Sequence, residues 1–532
     1  MKILKLMNEK NENIGFYFTI SFISYLFLIL TNNISAIPSE FYSNITKFAI
    51  VTCFDFLLNF CLIFFTMSIH KFCVYIYFTI LSIIGCVNYW TMAITNKRFS
   101  LSDIFLAKTA FANVAEISIT PSEILYFLFL LILIFFLFRS VKKYKKKENT
   151  KNYRILMSII MCIFSICIIY EFRTDEFMSY QIGNSTGLFS ETSYIFTSFE
   201  YLKKPNDFKK NMEIIKEKET ETLNSNREKS PVIIQIMSEA LADFKNVDYM
   251  PFTRSIESGT AIPDIWGNKT VTSELESLTG ISSNVLGIDG TRIYDSMINE
   301  NMDSTVSQLK ANGYKTIGLH PYLPESYQRE KRWKTLGFDE TYFMNDFDKP
   351  KRVRSYISDQ SFFEKIEGLV EKNNESPLYI FGVSMQNHAG FTNKDLKSEV
   401  NFGGEELNQY ITLQNITDAA FKNFIEKMEK EDREVIVLYY GDHQPMLGEE
   451  DYNILNVDSK YAVPYVMWSN KRDLKTFDQI SMSYLPALLL ENSNNNMNGW
   501  FKNLDKLMNN NSVIDHNSLY KSWCYYQIKK RG

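Results

Sequence analysis

Five long apolar runs precede residue 175 and constrain the fold of this chain more than any other feature. They cover residues 14–30, 48–69, 72–94, 124–138 and 155–170. A helix that crosses a bilayer needs about 20 mainly apolar residues, and each run reaches that length alone or with its flanking residues. No small-residue cleavage site follows the first run, so it is not a signal peptide. We therefore predict a five-helix transmembrane region over residues 1–175.

The basic residues of the short loops predict how these spans are oriented, because loops rich in Lys and Arg stay in the cytoplasm. Residues 139–154 carry eight basic residues and one acidic residue, and the N-terminal tail carries Lys2, Lys5 and Lys10. Five spans from a cytoplasmic N-terminus place everything after Glu171 outside the cell. The predicted location is the cell membrane, with several passes, a lipid bilayer as partner and an extracellular C-terminal domain.

Charge and cysteine content exclude two classes of function for the polar part of the chain. The net charge is −4, which gives no support to a nucleic-acid partner. Six of the seven cysteines fall inside the apolar runs, and only Cys524 lies in the polar part. A disulfide framework or a C-x-x-C zinc pattern is therefore excluded there.

The pattern changes twice after the last apolar run. Residues 176–229 are interpreted as a juxtamembrane segment, and the Lys, Glu and Asn of residues 203–230 predict a solvated helix and linker. Residues 230–532 then alternate apolar strands with amphipathic helices. The predicted strands are 232–237, 315–319, 378–385 and 434–440, and the predicted helices are 303–312, 359–372 and 413–431. This alternation favours an α/β domain with a mainly parallel sheet covered by helices.

Each predicted strand ends in polar residues that are common in catalytic sites. In order, the strand ends are Ser238 with Glu239, His320 with the nearby Tyr327 and Arg329, Gln386 to His388, and Gly441 with Asp442 and His443. Ligand groups gather at the carboxyl ends of parallel strands. A carboxylate, an Asp-His pair and an alcohol can hold one divalent cation, and mainly oxygen ligands suit Mn²⁺ or Mg²⁺, with Zn²⁺ as the alternative.

The segment 266–280, W-G-N-K-T-V-T-S-E-L-E-S-L-T-G, predicts a turn that opens into a helix N-terminus. Such a terminus favours an anion, and a neighbouring metal lowers the pKa of a hydroxyl. Arg329 adds a forked donor that matches phosphate. Taken singly, each residue also fits a structural role, such as a turn for Asp442-His443 or a helix cap for Glu239. Taken together, they indicate phosphoryl transfer through a covalent intermediate.

These motifs resemble the lipoteichoic acid synthase family of phosphoglycerol transferases, in the sulfatase and alkaline-phosphatase-like superfamily. The motifs are V-I-I-Q-I-M-S-E ending at Glu239, G-N-K-T-V-T-S-E-L-E-S-L-T-G around Thr270, H-P-Y and Y-Q-R at His320 and Arg329, M-Q-N-H ending at His388, and Y-Y-G-D-H-Q-P around Asp442 and His443. The resemblance implies Mn²⁺ bound by Glu239, Thr270, Asp442 and His443. It also implies that Thr270 is the nucleophile, that Arg329 and His388 hold the phosphate, and that His320 lines the pocket.

The resemblance further implies phosphatidylglycerol as the lipid donor and a glycolipid or cell-wall polysaccharide as the acceptor. Thr272 is the alternative nucleophile. Lys269 stands where the family has a small residue, and Leu275 where it has Phe. Transfer of phosphoethanolamine or another headgroup is therefore an alternative, as is a membrane sensor or binding protein without turnover. Sulfate ester hydrolysis is excluded, because the C/S-x-P-x-R motif that forms the formylglycine nucleophile is missing from the sequence.

Overall fold

The computed structural model describes residues 204–219, 230–288, 290–455, 459–514 and 518–530, with short stretches between residues 17 and 159. The chain divides into two compact units. The first comprises Met1–Ala107 and Ile117–Glu200, and the second comprises Lys108–Glu116 and Tyr201–Gly532.

The described part of the first unit consists of short helical stretches. Asn59 ties two of them together, since its Nδ2 donates to the carbonyl oxygen of Ser21 at 2.9 Å and to Ser24 Oγ at 2.5 Å. The Tyr77 hydroxyl donates to Asn59 Oδ1 at 2.5 Å. The five predicted spans lie largely outside the described residues, and no helix among those described is long and apolar enough to cross a membrane. The five-helix region thus gains no support here and stays a prediction.

The second unit alternates strands and helices. The strands are β1 Val232–Ser238, β2 Gly259–Ile262, β3 Lys315–Leu319, β4 Glu340–Tyr342, β5 Arg352–Val353, β6 Tyr356–Ile357, β7 Leu378–Val383, β8 Val435–Gly441, β9 Val463–Ser469 and β10 Gln479–Ser481. The helices are α1 Phe208–Glu219, α2 Pro251–Ile256, α3 Thr270–Thr279, α4 Ser283–Leu286, α5 Gly290–Ser296, α6 Thr305–Ala311, α7 Arg329–Leu336, α8 Asp359–Lys372, α9 Glu405–Met428, α10 Glu449–Leu455, α11 Leu485–Asn492, α12 Gly499–Asn510 and α13 Ser518–Lys529.

The main sheet has eight described strands in the order β10-β2-β9-β8-β1-β7-β3-β4. Strand β1 runs parallel to both β7 and β8, and β3 runs parallel to both β4 and β7. Only β9 is antiparallel to its neighbours, β8 and β2. The predicted mainly parallel α/β sheet is confirmed, and the four predicted strands are its adjacent central strands.

Two apolar layers cover the sheet, because successive side chains of a strand point to opposite faces. On β1, Ile233 and Met237 belong to one buried cluster, whereas Val232, Ile234 and Ile236 belong to the other. The first layer includes α3, α6, α7, α11, α12 and α13, and the second includes α8 and α9. Burial on both faces fixes the central strands and thereby the positions of the residues that follow them.

Helix α1 differs from the solvated helix that the sequence predicts. Its Asn211 is buried, and the side-chain amide donates to the Ser518 carbonyl at 3.1 Å and to Ser522 Oγ at 2.9 Å. The Phe208 ring meets the Tyr525 ring edge-on, with centroids 5.0 Å apart. One face of α1 thus packs on α13, the last described helix. The many charged residues of this segment made that packed face hard to predict from the sequence.

Candidate active site

The sheet order brings the four polar strand ends together. Strands β8, β1, β7 and β3 are consecutive neighbours, and their parallel direction places their carboxyl ends at one edge. Ser238 pairs with Gly441 in the β1–β8 register, so Glu239 and Asp442 leave the sheet side by side. Leu319 pairs with Gly382 in the β3–β7 register, which brings His320 next to the end of β7. The sequence prediction that these ends meet is confirmed.

Glu239, Asp442 and His443 form a compact group of potential metal ligands. One ligand atom from each lies within 4.8 Å of the others, and all three residues are buried. His443 Nε2 lies 3.1 Å from Asp442 Oδ2 and 3.9 Å from Glu239 Oε1. Asp442 Oδ1 accepts from the backbone N–H groups of Ala240 and His443, each at 2.8 Å. The second oxygen, Oδ2, is buried and has no hydrogen-bond donor among the described residues.

The protonation of His443 follows from its surroundings. Its Nδ1 lies 2.9 Å from the carbonyl oxygen of Gln444, which can only accept, so Nδ1 carries the hydrogen. The Nε2 lone pair then faces the two carboxylates. Burial, together with the charge of Asp442, raises the pKa of Glu239 well above its usual range. Three buried acceptor groups that face one another fit a divalent cation, which would satisfy all three at once.

Close packing between two turns sets this geometry. Ala240 has a φ of 51°, in the left-handed region, and its N–H points at Asp442. A Cβ on Gly441 would lie 2.1 Å from the carbonyl oxygen of Leu241. The glycine of the G-D-H motif is therefore required, because any side chain would push the turn after β8 away from the turn after β1.

Gly441→Ala is accordingly expected to lower the free energy of unfolding by roughly 1–3 kcal/mol, a cost typical of overpacking. The control is Gly368→Ala on α8, where nothing lies within 4 Å of the place that a Cβ would occupy. Alanine there should be neutral or stabilising by up to about 1 kcal/mol. Thermal unfolding of both variants tests this, and an unchanged Tm for Gly441→Ala would contradict it.

Thr270 is the first residue of helix α3, and the whole helix is buried. Lys269, just before it, has a φ of 66°, a left-handed conformation that explains why a small residue would suit that place. Ser273 Oγ donates to the carbonyl oxygen of Asp442 at 2.6 Å. Thr270 lies on the same helix face, three residues earlier. The first turn of α3 is thus tied to the segment that carries Asp442 and His443.

The two candidate hydroxyl groups have different environments. Thr272 is completely buried, and its Oγ1 would lie 2.6 Å from a Cβ placed on Gly290, so the backbone of α5 encloses it. Thr270 keeps 8 % of its surface exposed. A substrate needs access to the nucleophile, so this difference supports Thr270. Its catalytic role stays a prediction.

A buried network surrounds Arg329. The carboxylate of Glu274, on α3, accepts from Arg329 Nε at 2.9 Å, from the Trp333 indole at 2.6 Å and from the Tyr294 hydroxyl at 2.5 Å. Arg329 is 2 % exposed, so its charge is balanced inside the protein. Tyr294 lies on α5, and Trp333 lies on α7 one turn after Arg329; neither was singled out from the sequence, because nothing in the local pattern links them to Glu274.

His320 belongs to the same network. Its Nδ1 lies 2.9 Å from the Val383 carbonyl oxygen, so this nitrogen carries the hydrogen. Its Nε2 therefore accepts from Arg329 Nη1 at 2.9 Å. Burial and the charge of Arg329 lower the pKa of His320 well below its usual range. A neutral His320 holds the guanidinium in place, and its predicted contact with substrate stays a prediction.

His388 lies on the loop after β7 and is half-buried. Its Nδ1 lies 3.2 Å from the hydroxyl of Tyr356, which belongs to the short β5–β6 hairpin. Asp359, two residues after that hairpin, is completely buried, and burial raises its pKa to about 7. Tyr356 and Asp359 were not predicted from the sequence as site residues. They lie in R-S-Y-I-S-D, which ends at the first residue of the predicted helix 359–372.

The comparison with protein families decides the class of this domain. The family model described as Sulfatase matches residues 231–492, the part of the chain that contains every strand end of the site.

Residues 231–492 form a sulfatase-family domain.

The curated relatives that this chain matches are distant in sequence. A Rhizobium meliloti (strain 1021) protein named for cyclic beta-1,2-glucan modification is 24 % identical over 336 residues, which are 57 % of this chain and 50 % of the relative. The match thus spans half the length of this curated relative.

Two solved structures are similar to this chain. The lipooligosaccharide phosphoethanolamine transferase A (EptA) of Neisseria meningitidis is 15 % identical, with a TM-score of 0.55, over 89 % of this chain and 95 % of that one. The phosphoglycerol transferase GacH of Streptococcus pyogenes, in complex with sn-glycerol-1-phosphate, is 20 % identical, with a TM-score of 0.49. This match covers 61 % of this chain and 94 % of GacH. At this identity, the likeness to EptA shows a shared fold.

Proposed function

We propose that this chain is a membrane-anchored phosphoglycerol transferase with an extracellular catalytic domain. It moves glycerol phosphate from phosphatidylglycerol onto a cell-envelope acceptor, a lipoteichoic-acid-type polymer or a glycan. The observation that carries the proposal is the cation-binding group of Glu239, Asp442 and His443, tied through Ser273 to the helix that begins with Thr270. The sulfatase-family domain and the order of its motifs support the same reading.

In the first step, the Thr270 oxygen forms a bond to the phosphorus of the donor. The bond from phosphorus to the diacylglycerol oxygen breaks, and the Thr270 hydroxyl proton is lost while the departing oxygen gains one. In the second step, the oxygen of an acceptor hydroxyl bonds to the phosphorus of the glycerophospho-threonine and loses its proton, while the bond from phosphorus to the Thr270 oxygen breaks and that oxygen regains a proton. Dividing one difficult displacement into two is the benefit of covalent catalysis. A divalent cation at Glu239, Asp442 and His443 would lower the pKa of a nearby hydroxyl and offset phosphoryl charge; Mn²⁺ is the first choice, and Mg²⁺ or Zn²⁺ the alternatives.

Two basic residues are assigned to the phosphate. Arg329 presents a planar guanidinium that suits phosphate oxygens, and Glu274 and His320 restrict how it can turn. His388 is half-buried at the same sheet edge and can donate from its ring. Neither residue needs to move a proton; both hold and orient the anion, which brings the phosphorus into line with Thr270.

Lipid turnover in membranes that contain the full chain tests the proposal. With phosphatidylglycerol labelled in its headgroup, we expect diacylglycerol release and label on Thr270, located by mass spectrometry. Release from phosphatidylethanolamine alone would instead favour the phosphoethanolamine alternative. Absence of release and of label with every phospholipid supplied would favour a sensor or binding protein.

Metal binding gives a second, independent check. Glu239→Ala and His443→Ala should each weaken Mn²⁺ binding by at least about 100-fold, because each removes a ligand from a buried site. Titration of the purified full chain with Mn²⁺, followed calorimetrically, measures this. Glu257→Gln is the control, since that carboxylate lies outside the group and pairs with Lys245. Equal affinities in all four proteins would contradict the assigned site.

A further inference from the structure

The loop that carries His388 is held by the chain segment that contains Tyr356 and Asp359. We define the His388 loop as residues 384–390, which follow β7, and the clamp segment as residues 354–359, which contain β6 and the start of α8. The rest of α8 and the whole of β7 lie between the two segments along the chain, so the contacts between them are tertiary.

Arg354 binds the backbone of the His388 loop at three places. Its Nη2 donates to the carbonyl oxygens of Gln386 at 2.6 Å and of His388 at 2.9 Å. Its Nη1 donates to the carbonyl oxygen of Gly390 at 2.9 Å. One planar guanidinium thus fixes three alternate residues of a loop outside the sheet. Hydrogen bonds from a charged donor are stronger than those between neutral groups.

Tyr356 binds the side chain of the same histidine. Its hydroxyl lies 3.2 Å from His388 Nδ1, and the two ring centroids are 5.7 Å apart. The Arg354 guanidinium lies over the Tyr356 ring at 5.4 Å, so the two clamp residues also hold each other. The contact at Nδ1 and the packing of the two rings together fix the rotation of the His388 ring.

A third contact fixes the base of the loop. The backbone N–H of Asp359 donates to Gln386 Oε1 at 3.0 Å, and Gln386 Nε2 donates to Thr417 Oγ1 at 3.0 Å. The clamp segment therefore contacts the backbone of the loop, the His388 ring and the side-chain amide of Gln386. Arg354 also has a φ of 54°, a left-handed conformation that costs free energy for a residue with a side chain.

We propose that Arg354 and Tyr356 are positioning residues, which hold the His388 ring in the orientation that binds the phosphate of the donor lipid. The proposal rests on the transferase function proposed above. Neither side chain is required to touch the reacting atoms; both act through His388.

Turnover of Arg354→Gln and Tyr356→Phe tests the proposal in the full chain. We expect kcat/KM for phosphatidylglycerol to fall about 10- to 100-fold, since small displacements of an orienting group have effects of this size. Arg433→Gln is the matched control. It also donates to two backbone carbonyl oxygens, those of Asn373 and Val370, but at the opposite end of the sheet. Its kcat/KM should stay within about twofold of wild type.

A double-mutant comparison separates positioning from general stability. In the His388→Ala background, adding Arg354→Gln should produce little further loss, because residues that act through one group are not additive. A full multiplicative loss in the double variant would overturn the proposal.

Histidine NMR gives a readout that does not need turnover. The chain has five histidines, so ring signals of labelled histidine can be assigned by substitution. The His388 ring signal should shift in Arg354→Gln and Tyr356→Phe and stay in place in Arg433→Gln. An unmoved His388 signal would overturn the positioning role even in a protein that turns over no lipid. Failure of the transferase function would appear separately, as an inactive wild type.

Discussion

Thr270→Ala is expected to lower the rate of diacylglycerol release by about 10⁴-fold or more, at saturating Mn²⁺. Loss of a covalent nucleophile has effects of this order, because the remaining groups bind substrate without a partner for the phosphorus. Thr270 begins a buried helix whose first turn is held by the Ser273 hydrogen bond to Asp442. That bond survives the substitution, so the fold and the cation site proposed at Glu239, Asp442 and His443 should persist.

Thr272→Ala is the matched control on the same helix. Its hydroxyl is enclosed against Gly290, and removing it should cost some packing while leaving the phosphothreonine step intact. Release of labelled diacylglycerol and the mass of the trapped adduct measure both variants. An active Thr270→Ala beside an inactive Thr272→Ala would transfer the nucleophile to Thr272.

Glu274→Gln is expected to reduce kcat/KM by about 10²-fold and to lower the free energy of unfolding by up to about 3–5 kcal/mol. The reason is that Arg329 would stay buried while its carboxylate partner becomes neutral. The guanidinium would then be free to turn away from the phosphate. Glu274 follows Thr270 by one helical turn, so a single helix would position both the proposed nucleophile and the arginine proposed to bind phosphate.

Glu276→Gln is the control for that experiment. Glu276 lies on the same helix and is also buried, but it accepts from the Asp264 N–H and the Ser483 hydroxyl. Burial raises its pKa well above the usual range, so an amide of the same shape suits the place. Stability and kcat/KM should both stay near wild type. If both substitutions changed kcat/KM equally, the special link between Glu274 and Arg329 would be disproved.

The central sheet could be predicted because its strands are buried on both faces. V-I-I-Q-I-M in β1 is apolar apart from Gln235, and β3 and α8 match their predicted bounds to the residue. Strands β2, β4 and β10 have only three or four residues, too short for a periodic signal. Helix α9 starts eight residues before the predicted bound, because its first turns are polar.

The residues of the candidate site likewise fall into those that the sequence predicts and those that it does not. Glu239, Asp442 and His443 directly follow strands, so a parallel sheet with β1 beside β8 brings them together; the parallel sheet was predicted, but its strand order was not. Trp333 lies one turn after Arg329 on α7, whereas Tyr294, Arg354 and Tyr356 reach the site from a helix and a hairpin elsewhere in the chain. Their role depends on tertiary packing, and the local sequence does not show which arginine or aromatic ring will contact the site.

The contact between α1 and α13 has a practical consequence for anyone who isolates the α/β domain without the apolar N-terminal region. A fragment cut at the predicted boundary of residue 230 would lose Asn211 and Phe208, and would leave Ser522 and Tyr525 on α13 facing water. Starting at residue 204 retains both partners. Because α1 and α13 pack on each other, removing α1 is expected to destabilise α13.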